Sequence, residues 1–235
     1  MEPFEKAIEE NIRVIRERMD AAALAAGRNP KEILLCAATK MNDAQRVKAA
    51  VAGGVDVCAE NRVQEFQAKA PLGAYEGKPV HFIGRLQTNK VKYLVGKVDL
   101  IQSVDRLPLL EAIDAQARKI GVCQPILLEV NIAGQESKAG FTPEEARQIA
   151  ARMGEFSGVT LHGLMAIPPV SEKKGDNSVF FQNMMQLFID ISRKKYDNVT
   201  MVCLSMGMSD DYEDAIACGS TMIRIGTAIF GARDY

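Results

Sequence analysis

Apolar residues in the first stretch of the chain, Phe4, Ile8, Ile12, Ile15 and Met19, recur every three or four positions with charges between them. That spacing predicts an amphipathic helix beginning at Pro3 and stopping at Gly27. From residue 33 the pattern changes to short β-rich runs separated by helical segments. The runs are ILLCAAT from Ile33, VDVCAE from Val55, VHFIG from Val80, VDLIQSV from Val98, PILLEVN from Pro125, VTLHGLMAI from Val159, VTMVCLS from Val199 and TMIRIG from Thr221. Between them lie helical segments such as DAQRVKAAVAGG, RLPLLEAIDAQARKIG, TPEEARQIAARMGEF and SVFFQNMMQLFIDISRKK.

Strands alternating with helices of this length call for parallel βαβ units. Eight such units are the count of a (β/α)8 barrel, and several runs are apolar on both faces, as a barrel wall requires. An open doubly wound sheet is the competitor, but no GxGxxG follows the first strand and the strand count is high for that fold. No Pro/Gly/Ser linker divides the chain, and PPVSEKKGDNS after the sixth strand reads as one long surface loop. The expected architecture is an α/β, single-domain (β/α)8 TIM-type barrel over residues 1–235, with an N-terminal helix preceding the first strand. Too few residues follow the eighth strand for a normal outer helix, so the N-terminal helix is expected to close the ring.

Composition narrows the class. The 235 residues are 47% hydrophobic and 25% charged, enough apolar mass for a full core. A formal net charge of -1 gives no basic footprint for nucleic acid or an acidic membrane surface. The first helix carries too many charges for a signal peptide, and no apolar run is long enough to cross a bilayer. A soluble protein is expected. The cysteines, Cys36, Cys58, Cys123, Cys203 and Cys218, are odd in number, lack a CxxC and include three inside apolar runs. That is the usage of small core residues in a reducing compartment, which places the protein in the cytoplasm and argues against disulfides or zinc.

In such a barrel the chemistry sits where each strand stops at its C-terminal end. Those positions are Lys40, Asn61 and the segments GRLQTNK, SKAG, AIPP, SMGMSDD and GTAIFG. Gly226 and Thr227 follow the eighth strand and Ser205 ends the seventh, where barrels commonly cradle a phosphate. Lys40 lies across the seam from them, since the first and eighth strands of a closed barrel are neighbours. A desolvated amine beside a guanidinium has its charged form disfavoured and attacks carbonyls, and Arg224 is placed to supply the guanidinium. The set suits a phosphorylated aldehyde, of which pyridoxal 5'-phosphate (PLP) is the commonest protein-bound example. Position alone leaves open that Lys40 merely reaches solvent, and Lys90 and Lys138 share the same face. His81 and His162 read as core residues. Asp210, Asp211, Glu213 and Asp214 follow Ser209 at a helix start, where carboxylates complement the dipole.

The segments AATK, ENRVQE, HFIGRLQTNK, SVDR, SKAGF, GLMAI, LSMGMSDD and GSTMIRIGTAIFGARDY resemble the pyridoxal phosphate homeostasis proteins, the YggS/PROSC family. The resemblance runs from Lys40 to the C-terminus and implies a barrel like that of the alanine racemase class. It also implies PLP in Schiff-base linkage to Lys40, phosphate binding by Ser205, Gly226 and Thr227, Arg224 facing the pyridine nitrogen, and Asn61 lining the pocket. Two positions depart from the pattern: Cys58 and Ala59 stand where the family commonly has an aromatic residue and Gly. The expected partners are the cofactor and, in transient contact, PLP-dependent enzymes, with no nucleic acid or membrane, and a monomer is expected.

An electron-sink enzyme wants the pyridine nitrogen protonated by a carboxylate, whereas an arginine there cannot supply the proton. Racemase-like folds add a β domain carrying a catalytic tyrosine, and this sequence ends before one begins. The leading expectation is a PLP-binding protein of vitamin B6 homeostasis or delivery that holds the cofactor as an internal aldimine without robust catalysis. A small amino-acid racemase and a PLP-free barrel enzyme acting on a phosphosugar through Lys40 or Lys138 stand as alternatives.

Overall fold

Closure of the sheet begins with β1 (Leu34–Ala38), which pairs in parallel with both β2 (Val57–Glu60) and β8 (Met222–Ile225). Between these run β3 (Val80–Phe82), β4 (Leu100–Val104), β5 (Gln124–Glu129), β6 (Val159–Met165) and β7 (Val199–Ser205), giving a closed barrel in chain order. All eight expected strands are present. The computed structural model describes residues 2–135, 138–169 and 175–231. The surface loop expected at 168–178 and the SKAG segment fall partly outside these residues, and 232–235 wholly so.

The helices are α1 (Pro3–Ala25), α2 (Ala44–Ala52), α3 (Val63–Lys69), α4 (Leu107–Ile120), α5 (Pro143–Ala151), α6 (Ser178–Ser192), α7 (Tyr212–Ala217) and α8 (Thr227–Phe230). A 3₁₀ segment, Thr88–Tyr93, takes the helix position after β3. The short α8 leaves a gap in the outer ring, and α1 fills it by packing against α2, α7 and α8. Ile8, Ile12, Ile15, Met19 and Ala23 form its buried stripe, the larger of them worth about 1.5–3 kcal/mol each. Asn11 Nδ2 donates to Ile229 O at 2.9 Å, tying α1 to α8.

Alternation along the strands divides two cores. Leu35, Ala37, Ile101, Ile126, Leu128, Leu161, Leu204, Ile223 and Ile225 face the helices. Cys36, Ala38, Val57, Ala59, Leu100, Leu127, Met165, Cys203 and Met222 cluster inside the barrel. The ladder is interrupted at β6, where Ile126 faces Leu161 but Leu127 faces Gly163, so that His162 is the extra residue of a bulge. Gly163 has φ 149°, and a Cβ there would lie 1.8 Å from Cys203 O. Gly163→Ala is therefore expected to destabilise the barrel by roughly 3 kcal/mol or more, read as a fall in unfolding free energy by denaturant titration.

Candidate functional site

Lys40 emerges two residues beyond Ala38, whose side chain faces the barrel interior. The lysine is half-buried and lines a cavity of about 410 Å³ together with Ala38, Asn42, Arg46, Gly226 and Thr227. Gly226 and Thr227 arrive there because β8 pairs with β1, Ala37 facing Ile225. A Cβ at residue 226 would sit 3.5 Å from Ala38 O, over the end of β1. The structure thus brings Lys40, Gly226 and Thr227 to one cavity from opposite ends of the sequence.

Arg224 and Ser205 lie one layer deeper. Arg224 is 4% exposed; its Nη1 donates to Ser205 Oγ at 2.7 Å and its Nη2 to Ala166 O at 2.9 Å. A guanidinium only donates, so Ser205 Oγ accepts from it and donates its own O–H to Gln102 Oε1 at 2.7 Å. That turns the Gln102 amide nitrogen toward His81 Nδ1, 2.9 Å away, and leaves the His81 proton on Nε2. Burial pushes the His81 imidazole down to about 4, with Asp99 opposing weakly, so the ring is neutral. Burial also pulls the Arg224 guanidinium downward, against the pull of Cys36 and Glu129. The result is a polar column, His81–Gln102–Ser205–Arg224, threaded through an otherwise apolar barrel.

Asn61 lines a neighbouring cavity of about 840 Å³ with Arg62, Arg85, Lys90 and Arg106, and its Oδ1 is buried without a partner. Cys58 and Ala59 both lie inside β2, so residue 59 occupies regular extended backbone that accepts a Cβ. Lys138 reaches across to Pro168 O at 2.9 Å. Burial raises the thiols of Cys58 and Cys203 to about 12 and that of Cys36 as well, which keeps them as apolar core groups. Asp211 accepts from Met208 N and Asn177 Nδ2, and Asp214 from Gly175 N, so these carboxylates of the acidic cluster hold loops.

Sequence reasoning passed over two residues here. Glu129 ends β5, and burial, aided by Asp105 and opposed by Arg224 and Arg85, pushes its carboxyl up to about 7. Its signal was a lone carboxylate closing the run PILLE. Ser209 accepts a long bond from Ala228 N at 3.4 Å, which places its hydroxyl against the first turn of α8. It is the second serine of SMGMS, read above only as the start of a helix.

A profile of the alanine racemase N-terminal domain matches residues 5–234. The pyridoxal phosphate homeostasis protein of Aquifex aeolicus is 41% identical over 96% of this chain and 98% of its own length. The chain belongs to the pyridoxal phosphate homeostasis protein family. The Escherichia coli protein of that name is 38% identical over 97% of both chains. PipY of Synechococcus elongatus, solved with PLP bound, superposes with a TM-score of 0.81 at 30% identity, covering 95% of this chain and 100% of that one. An alanine racemase of Clostridium difficile shares the fold at a TM-score of 0.71 and 15% identity, over 96% of this chain and 58% of the racemase.

Relatives in the homeostasis protein family carry PLP in their names, and the residues here fit such a group on their own chemistry. The Lys40 cavity holds a primary amine, the side-chain-free Gly226, and Arg46, whose Nε is a buried donor without an acceptor. Those are the groups an anionic, aldehyde-bearing ligand needs. The support beneath them has a measurable signature. As pH falls below the unfolded histidine value of about 6.5, the unfolded chain takes up a proton that buried His81 refuses, so stability is lost until His81 itself titrates near 4. Relative to His81→Gln, the wild type is expected to lose up to about 3 kcal/mol between those pH values, measured by denaturant unfolding at each pH.

Proposed function

We propose that this chain binds PLP through Lys40 and serves vitamin B6 homeostasis by holding and handing on the cofactor, in place of turning over a substrate of its own. The observation that carries this reading is the meeting of Lys40 with Gly226 and Thr227 in one cavity at the β1–β8 seam. The cofactor supplies an electrophilic aldehyde with which a primary amine condenses, losing water. Lys40 supplies the amine. The backbone at Gly226 and Thr227 would hold the phosphate, with the Ser209 hydroxyl, bonded to Ala228 N, near enough to join them. Arg224, one layer below the cavity, would face the pyridine nitrogen as a donor and could not give it a proton, its acidity being too weak. Ser205 joins the set through Arg224, and Asn61 borders it from the neighbouring cavity.

Carriage is favoured over turnover by what surrounds the amine. Among the described residues lining the Lys40 cavity the one carboxylate is Asp43, and its Oδ1 already caps α2 through Arg46 N. Glu129 is the acid near neutrality at this end of the barrel, and it gives the racemase reading its footing. Purified protein mixed with PLP is expected to develop a visible absorption band, and borohydride followed by peptide mapping is expected to fix the adduct on Lys40. Lys40→Ala is expected to abolish both. Rapid racemisation or decarboxylation of an amino acid by the wild type, lost in Lys40→Ala, would replace carriage with catalysis. A colourless protein that gains no band would return the site to a phosphosugar.

A further inference from the structure

Behind Lys40 lies a buried ionic cluster that the reading above does not use. Lys69, at the end of α3, is buried and gives its ammonium to three oxygens: Glu60 Oε1 at 2.8 Å, Thr39 O at 2.9 Å and Glu65 Oε2 at 3.0 Å. Glu60 Oε1 also accepts from Thr39 Oγ1 at 2.6 Å and from Tyr75 OH at 2.8 Å, while its Oε2 is buried without a partner. Glu65 Oε2 accepts from Met41 N at 2.6 Å. Burial alone would raise the Glu65 carboxyl, but the bonds from Met41 N and Lys69 outweigh it and hold it below its ordinary value.

The cluster therefore grips the backbone on both sides of one residue. Lys69 holds the carbonyl of Thr39, and Glu65 holds the amide of Met41, with Lys40 between them. Met41 has φ 61°, the left-handed conformation that a residue with a long side chain avoids unless its surroundings impose it. The charged acceptor on the Met41 amide is one such contact, beside the Asn42 N to Thr39 O bond of the same turn. The ionic cost of burying Lys69 and Glu60 is of the kind that proteins seldom carry for stability alone, since apolar replacements of such pairs are often neutral or better.

We infer that Glu60, Lys69 and Glu65 are positioning residues for Lys40: a clamp on Thr39 and Met41 that turns the chain sharply at the strand end and aims the amine at the Gly226–Thr227 loop. The inference rests on Lys40 being the attachment point for PLP. Glu65 is the member to test, being partly exposed, so that its replacement leaves the Glu60–Lys69 pair intact. Two quantities are measured on folded protein, verified by an unchanged circular dichroism spectrum: the rate at which added PLP becomes attached to Lys40, and the affinity for pyridoxine 5'-phosphate, which has the phosphate but no aldehyde. Glu65→Ala is expected to slow attachment at least tenfold with the analogue's affinity unchanged. Glu65→Gln, which keeps an acceptor for Met41 N, is expected to recover most of the rate. An unchanged rate in Glu65→Ala overturns the clamp. An equal loss of rate and analogue affinity also overturns it, because the cluster would then support the pocket in general. A wild type that forms no adduct on Lys40 overturns the reading of the site and the clamp with it.

Discussion

The pairing of β1 with β8 is the contact on which the rest of the molecule depends. A parallel sheet has an unpaired row of amides and carbonyls at each edge, and only the Leu34–Met222 to Ala37–Ile225 register removes both edges at once. Closure also sets the chemistry, since it puts the end of the first strand beside the end of the eighth. Without it Lys40 is an amine at the tip of a strand, and Gly226 belongs to an unrelated turn.

Closing the barrel creates an interior that must be filled, and the filling is not wholly apolar. Small side chains such as Cys36, Ala38 and Ala59 leave room on the β1–β2 side. The guanidinium of Arg224 and its companions Ser205, Gln102 and His81 run through the centre as a satisfied hydrogen-bonded column. Each member fixes the orientation of the next, because the arginine only donates and the amide has one acceptor end and one donor end. A buried cation is tolerable on these terms only while every link is made, so the column gives the top of the barrel a rigid, positively charged floor.

Much of this architecture was legible in the chain itself. The eight β-rich runs and the stripe from Ile8 to Met19 stand out because a buried strand and an amphipathic helix impose different periods on apolar residues. Lys40, Gly226 and Thr227 were legible for a related reason, each being the place where an apolar run stops. The polar column was not. Gln102 and His81 are single polar residues inside apolar runs, and their partners are remote, Ser205 standing 103 positions from Gln102. Glu60 and Glu65 were likewise visible only as the two ends of ENRVQE, and Lys69 outside that segment not at all, because their object, the backbone around Lys40, follows another strand. The 3₁₀ turn after β3 and the bulge at His162 depend on the local path of the barrel, which no sequence period encodes.

The helix α1 completes the ring of helices although it comes first in the chain, and its Asn11 meets Ile229 across 218 positions of sequence. Contacts of such separation are entropically expensive to form and slow the folding of the domains that depend on them. A chain emerging from synthesis makes Lys40 and its clamp early, but the wall opposite and the loop that faces the amine come last. The cavity is thus completed only once the last strand is made, and until then Lys40 stands without the Gly226 and Thr227 wall beside it.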